Sequence, residues 1–294
     1  MTTIRAFVKR HPLLSFYALV FAIAWGGILI LAGGPSGIPT TEEQFEMLMP
    51  WLMLVWLAGP SVAGIVLTGL VYGREGFRNL FARMRRWRVG ARWYAVALLT
   101  APLLYVGVSL VLSLTSPEYR PGILATSDKA TLLLFGIGWG LIGGGLLEEL
   151  GWTGFATPTL LRRYGVLGTG LTVGVLWGVF HWPVNGWAGV TLAGALSVAI
   201  SLPLQLLFFT VAGLTAYRVL MVWVYERTGE SLLLAILMHA SLTASMIILS
   251  PVVTGVAYLT YNLVLTAALW VVVGAVAVAS GGHLTRQPLR RRVA

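Results

Sequence analysis

Eight stretches of this chain are apolar for long enough to cross a bilayer. They are Ser15–Gly33, Met47–Tyr72, Trp93–Thr115, Thr131–Leu150, Val166–Gly189, Ser197–Val224, Leu232–Leu249 and Val256–Ser280. A spanning helix takes about 20 mostly apolar residues, so eight of them nearly exhaust 294 residues. No sizeable extramembrane domain fits in the remainder. Charged residues make up 10% of the chain and hydrophobic ones 57%. A soluble domain carries about a quarter charged residues, so an ordinary soluble globular protein is excluded. The fold expected is all-α, a polytopic transmembrane bundle of about eight spanning helices. With no cysteine, disulfides, Cys-ligated zinc and thiol catalysis are excluded as well.

The basic residues orient this bundle. With the N-terminus in the cytoplasm, the inner regions are 1–14, 73–92, 151–165, 225–231 and 281–294, and they hold seventeen of the twenty Lys and Arg residues. Of the other three, Arg218 sits toward the inner end of the sixth segment and only Arg120 and Lys129 fall on the outer side, while Glu42, Glu43 and Glu46 lie in the first outer loop. This is the positive-inside pattern, with both termini cytoplasmic in a multi-pass cell-membrane protein. The net charge of +10 therefore reads as topology plus attraction to anionic lipid, and nucleic acid is not an expected partner. Arg218 interrupts the sixth and least clear segment toward its inner end, where it would snorkel to the surface. Residues 74–92 interleave arginines with Phe77, Leu80, Phe81, Met84 and Trp87, as an amphipathic helix on the inner leaflet would. Ser15–Gly33 is too long for a signal-peptide core and no clear cleavage site follows it. The Pro and Gly of 34–39 mark an outer turn, and the last ten or so residues are expected to be disordered. The chain divides into residues 1–130 (three helices and an Arg-rich loop), 131–250 (the core carrying the chemistry) and 251–294 (a last helix and basic tail).

Within the apolar segments a few polar residues stand out. Glu148 and Glu149 close the fourth, His181 lies in the fifth and His239 in the seventh. His11 and His283, in the tails, carry no such signal. Charge inside a membrane costs several kcal/mol at the bilayer centre. Gly136, Gly140 and Gly144 recur every four residues and lead to Glu148 and Trp152. Such a stripe lets a second helix approach closely and turns Glu148 into the bundle. Gly170, Gly174 and Gly178 form a second stripe, with His181 three residues on and Trp177 placed to brace its ring. Ser231, Ala235, His239 and Thr243 form a third. The expectation is one common site for Glu148, His181 and His239. Glu149 is about 100° around the helix from Glu148 and on its residues alone would reach the interface or pair with Arg162 or Arg163.

A carboxylate and an imidazole can hold and deprotonate water, and a second imidazole can donate to a developing oxyanion. That set suffices for amide hydrolysis. No G-x-S-x-G elbow and no H-E-x-x-H helix is present. The three side chains could equally ligate zinc, and the residues alone leave metal-activated and Glu-activated water both open. A proton or ion relay in a transporter would use the same groups, although neither an internal repeat nor a pair of broken helices points that way.

The run Glu148-Glu149-Leu150-Gly151-Trp152-Thr153, then Trp177-Gly-Val-Phe-His181, then His239-Ala-Ser-Leu-Thr243, with Val224–Ser231 before it, resembles the CPBP family of intramembrane proteases. That family includes CAAX prenyl endopeptidases and bacteriocin-processing or self-immunity proteins. Its motifs read E-E-x-x-x-R, F-x-x-x-H and H-x-x-x-N, and the likeness covers roughly residues 130–250. The resemblance implies an endopeptidase that cuts a membrane-associated peptide or protein in or on the lipid bilayer. Glu148 would activate water with His181, His239 and Thr243 would stabilise the oxyanion, and Glu149 would support the site. It implies no cofactor in the glutamate-dependent reading, and zinc on Glu148, His181 and His239 in the other. Three positions depart from the pattern: Thr153 stands for Arg, Trp177 for Phe and Thr243 for Asn. They bear on activity and on CAAX specificity, and they leave a non-catalytic immunity or partner-binding protein on the same scaffold as the alternative.

Overall fold

The computed structural model describes residues 2–34, 42–282 and 284–285, apart from the side chains of 2, 42–46 and 187–191. The outer turn at 34–39 lies almost entirely outside these residues. So do the side chains of Glu42, Glu43 and Glu46, His283 and the last nine residues of the basic tail. The described residues are mostly helical and include no strand. In hydrocarbon this is the economical solution, because a helix satisfies its own backbone groups where no water can.

The order is α1 (Thr2–Arg10), α2 (Pro12–Leu31), α3 (Glu42–Leu67), α4 (Gly73–Met84), α5 (Ala91–Ser113), α6 (Lys129–Trp139), α7 (Leu147–Gly151), α8 (Thr157–Phe180), α9 (Trp182–Leu192), α10 (Val198–Leu204), α11 (Leu214–Arg227), α12 (Leu232–Leu249) and α13 (Gly255–Ala279). Wider π-helical turns at Thr68–Tyr72, Gly140–Leu146, Trp152–Ala156 and Gln205–Gly213 join several of these end to end. By length and composition, seven continuous helices among the described residues can cross a membrane.

The count of seven holds the eight apolar segments. The fourth helix runs for 52 residues, Lys129–Phe180, and contains both the fourth and fifth segments. It is broken at Gly165, whose φ of 63° and ψ of −170° no helix accommodates. Glycine alone adopts that geometry without strain. The chain reverses there, because Trp177 hydrogen-bonds Glu148 at 2.7 Å. A straight helix would hold residues 29 apart about 43 Å from one another.

Several boundaries differ from the sequence expectation. Residues 151–165, expected as a loop, are helical up to the Gly165 reversal. Glu148 and Glu149 therefore sit in the middle of a long helical run. The fifth segment is cut at His181, which joins α8 to α9. The sixth, least clear from its residues, is one continuous run from α10 to α11. The amphipathic helix expected over 74–92 ends at Met84. Its Arg83 turns inward: it is buried and donates to Tyr225 Oη at 2.8 Å and to the Gly154 carbonyl at 2.6 Å.

The segments assigned to the basic side do meet at one end of the bundle. Ser231 Oγ donates to the Arg86 carbonyl at 2.7 Å, and Trp93 packs edge-on to Trp223. Thr285 Oγ1 accepts from the Val166 N–H at 2.7 Å, and Arg227 reaches the Leu284 carbonyl. Glycine sets the closest approaches. A Cβ on Gly151 would lie 2.1 Å from the Pro60 carbonyl oxygen, and one on Gly140 2.5 Å from that of Ala240. Thus α7 sits against α3, and the π turn before it against α12, at backbone contact.

Candidate active site

Glu148 and Glu149 occupy α7, a single α-turn held between two π-helical turns. π-Bulges of this kind recur at functional sites. Here the wider turns have a geometric effect. Residues spaced by four drift about 40° per step around an α-helix, so Gly136, Gly140, Gly144 and Glu148 would spiral away from any one neighbour. The intervening π turn takes up the drift, and all four positions face α12. Cβ atoms there would meet Ile248 at position 136, Ala240 and Ala244 at 140, and Thr243 and His239 at 144.

Glu148 is buried, and its two oxygens have different surroundings. Oε2 accepts hydrogen bonds from two indoles, Trp177 Nε1 at 2.7 Å and Trp152 Nε1 at 3.1 Å. Oε1 faces two imidazoles, with His239 Nε2 at 3.9 Å and His181 Nε2 at 4.0 Å. The other nitrogen of each imidazole is committed. His181 Nδ1 lies 2.8 Å from the Trp177 carbonyl oxygen, an acceptor only, so that nitrogen carries the proton. His239 Nδ1 lies 2.7 Å from Glu149 Oε1 and likewise donates to a carboxylate. In the neutral form, each ring therefore presents a lone pair at Nε2 toward Glu148.

Aromatic rings fix these positions. Trp177 packs edge-on to His181 at 5.5 Å and to His239 at 4.8 Å. Trp56 adds a third edge contact, 5.0 Å from His181, and stacks on Phe180. The bracing of His181 by Trp177 is as the spacing suggests. Trp152 is in the stripe with Glu148, but its role as a second donor was not read from it.

Glu149 is fully buried. It reaches neither the interface nor Arg162 and Arg163. Its partner is Arg218, whose Nη1 donates to Oε2 at 2.9 Å and whose Nη2 lies 2.8 Å from Oε1. Thr153 Oγ1 donates to the same Oε2. Snorkelling of Arg218 is thus overturned: the residue has no exposure at all. The physical reason is the second glycine stripe. Cβ atoms on Gly170 and Gly174 would lie 2.6 Å from the Cα atoms of Val219 and Thr215, so α8 and α11 touch along the turn that carries Arg218. A guanidinium held that deep needs an anion, and Glu149 supplies it. The signal was present in the sequence as an ionisable residue inside an apolar segment.

Thr243 lines, with Glu148, His181 and His239, a cavity of about 350 Å³. The four side chains share this cavity, and Glu149 backs it through His239. The cavity extends from Glu148 away from the basic end. Aromatic and aliphatic walls such as Trp56, Trp139 and Phe209 alternate with the polar Asn185, Gln205 and Asn262. Phe135 and Met246 among its lining residues are each more than half exposed on the outer face of the bundle.

Two ligands each 2.0–2.1 Å from a tetrahedral zinc stand about 3.3 Å apart. The 3.9 and 4.0 Å gaps at Glu148 Oε1 are wider, and among the described residues no three His, Cys, Asp or Glu side chains are spaced to hold a metal ion.

Comparison with known proteins gives two matches to this chain. The profile of the family described as Rce1-like, type II CAAX prenyl endopeptidase, matches residues 129–245, which is the stretch from the start of α6 to within α12. CAAX prenyl protease 2 of Methanococcus maripaludis is 21% identical over 242 residues, covering 79% of this chain and 82% of that protein. Both bear out the resemblance read from the motifs and support a membrane protease of the CPBP family.

Proposed function

We propose that this protein is an endopeptidase that hydrolyses a peptide bond of a membrane-associated peptide or protein with a water activated by Glu148 and His181. The observation that carries this reading is the division of the Glu148 carboxylate. One oxygen is anchored by two indole N–H groups, and the other faces two imidazole nitrogens across about 4 Å. That span is too long for a direct hydrogen bond and is of the size one water bridges.

In the proposed reaction the water oxygen attacks the scissile carbonyl carbon while its proton passes to Glu148 Oε1. His181 Nε2 accepts the water's other hydrogen and orients it. His239, when it takes up a proton, donates from Nε2 to the developing oxyanion. Glu149 at its Nδ1 stabilises the resulting imidazolium, as a buried carboxylate does for a catalytic histidine elsewhere. The Thr243 hydroxyl is the second oxyanion donor. Glu148 then returns its proton to the leaving amine as the C–N bond breaks. No cofactor is required by this sequence of steps. The apolar and aromatic cavity with its few amides suits a peptide bearing an apolar group, and a prenylated C-terminal peptide is the first substrate to try. With the basic end in the cytoplasm, the bond would be cut within the membrane of the cell, below that surface.

Purified protein and its Glu148→Gln variant, assayed on prenylated and plain C-terminal peptides with and without chelator, test the proposal. Cleavage by the wild type that survives chelator and vanishes in the variant is expected. Cleavage lost to chelator and restored by zinc would replace the Glu-activated water by a metal-bound one. The second reading, partner binding without catalysis, draws on Thr153 and Thr243, which stand where the motifs carry Arg and Asn. It predicts no cleavage by the wild type on any peptide of the panel and none on restoring Asn at position 243.

A further inference from the structure

Thr153 leaves the first motif without its arginine, yet the structure holds a guanidinium at that spot. Arg218 Nη1 lies 2.9 Å from Glu149 Oε2 and 3.5 Å from Thr153 Oγ1, and the threonine hydroxyl hydrogen-bonds the same Glu149 oxygen. An arginine at 153 would start one helical turn from Glu149 and reach that oxygen from its own helix. Arg218 reaches it from α11, 65 residues later in the chain.

We propose that Arg218 is a transposed positioning residue: it supplies from α11 the cation that the first motif lacks, and it sets both glutamates at once. Its edge pairs with Glu149, which in turn holds His239 Nδ1. Its face lies 4.1 Å over the Trp177 ring, and Trp177 is the closer of the two donors to Glu148. A cation over an indole is attracted to the ring face, more so when desolvated, and holds the ring in one rotamer. The guanidinium thus touches both Glu149 and the indole that anchors Glu148. The glycine stripe of α8 brings it there: Thr215 and Val219, which sit against Gly174 and Gly170, flank Arg218 on α11. The positioning role rests on the protease reading above, whereas the occupancy of one place by residues 153 and 218 does not.

The test is the full chain in detergent as wild type, Arg218→Thr, Thr153→Arg, and the exchange carrying both substitutions. Melting temperature is read alongside kcat and KM on a cleaved peptide. Arg218→Thr leaves Glu149 buried without a cation, and Thr153→Arg crowds two guanidiniums together. Each single variant is expected to melt lower and to lose at least ~100-fold in kcat, with the exchange recovering both to within ~10-fold of wild type, the signature of two coupled sites. Arg218→Lys keeps the charge without the planar fork. It is expected to hold its melting temperature while kcat falls ~10-fold and KM stays put. An exchange no better than the single variants would overturn the assignment. Recovery of melting temperature without kcat would reduce Arg218 to charge balance and overturn the positioning role. If the wild type cuts nothing, the protease reading and the positioning role fail together. The transposition is then decided by the melting temperatures alone: coupling sustains it and additivity ends it.

Discussion

Trp177 Nε1 donates to Glu148 Oε2 at 2.7 Å, and the Trp177 carbonyl accepts from His181 Nδ1 at 2.8 Å. One residue therefore orients both the carboxylate and the imidazole proposed to activate water. Its main chain sets the histidine tautomer and its side chain leaves Glu148 Oε1 facing the two rings.

Trp177→Phe removes the N–H and keeps most of the ring. A hydrogen bond to a charged group is worth about 1.5–3 kcal/mol, so kcat should fall by roughly 10- to 150-fold with KM little changed. Steady-state kinetics on a cleaved peptide check this. An unaltered kcat would show that Trp152 Nε1 alone suffices.

The two glutamates should separate in their effects. Glu148→Gln keeps the shape of the group and leaves the Arg218–Glu149 pair intact, so it should abolish cleavage while the protein melts near the wild-type temperature. Glu149→Gln leaves Arg218 buried against a neutral amide. Breaking a buried pair costs about 3–5 kcal/mol, so this variant should lose thermal stability together with activity. Melting curves in detergent, set beside peptide cleavage, would distinguish them.

Gly144→Ala brings a methyl within 2.3 Å of Thr243 Oγ1 and 3.1 Å of His239 Nε2. Both proposed oxyanion donors must move, and a donor lost there costs about 10²–10³ in rate. Gly138→Ala, on the same helical run, meets nothing within 4 Å and should retain activity. It should melt no lower than wild type, since alanine is the better helix former by about 1 kcal/mol. Equal activity in the two variants would remove His239 and Thr243 from the mechanism.

Thr243→Val preserves shape and deletes the hydroxyl. If that hydroxyl meets the oxyanion, kcat should drop about 10²-fold while substrate binding persists. Thr243→Asn restores the amide found in the family motif and should raise kcat above wild type. Measured on one peptide, a Val variant as active as the parent would sink the oxyanion role.

Much of the architecture was legible from residues alone. Apolar runs demand helices that bury their own backbone polarity, and the small-residue stripes mark faces that pack closely. From those stripes came the expectation that Glu148, His181 and His239 meet, which they do around one cavity, while Thr243 joined the site only through the resemblance. The reading of Gly136 through Glu148 as one face was right for a reason the spacing does not contain, the π turn at Gly140–Leu146 that cancels the helical drift. The limits of the fourth segment were misread at Leu150, because apolar character falls off there while the backbone stays helical to Gly165.

By itself the sequence determined what depends on local pattern: helical class, the apolar spans, the clustering of basic segments at one end, and the motifs with their order. Tertiary structure alone decided the pairings across the chain. Arg218 read as an inner-end cation because hydropathy sees only its own helix, whereas its burial depends on Glu149 approaching from 69 residues away. Arg83 was placed on the leaflet for the same reason, yet it caps the carbonyl of Gly154 from 71 residues away. A buried charge is tolerated only where a distant segment brings the counter-charge or hydrogen-bond partners, and no local periodicity encodes which segment that is.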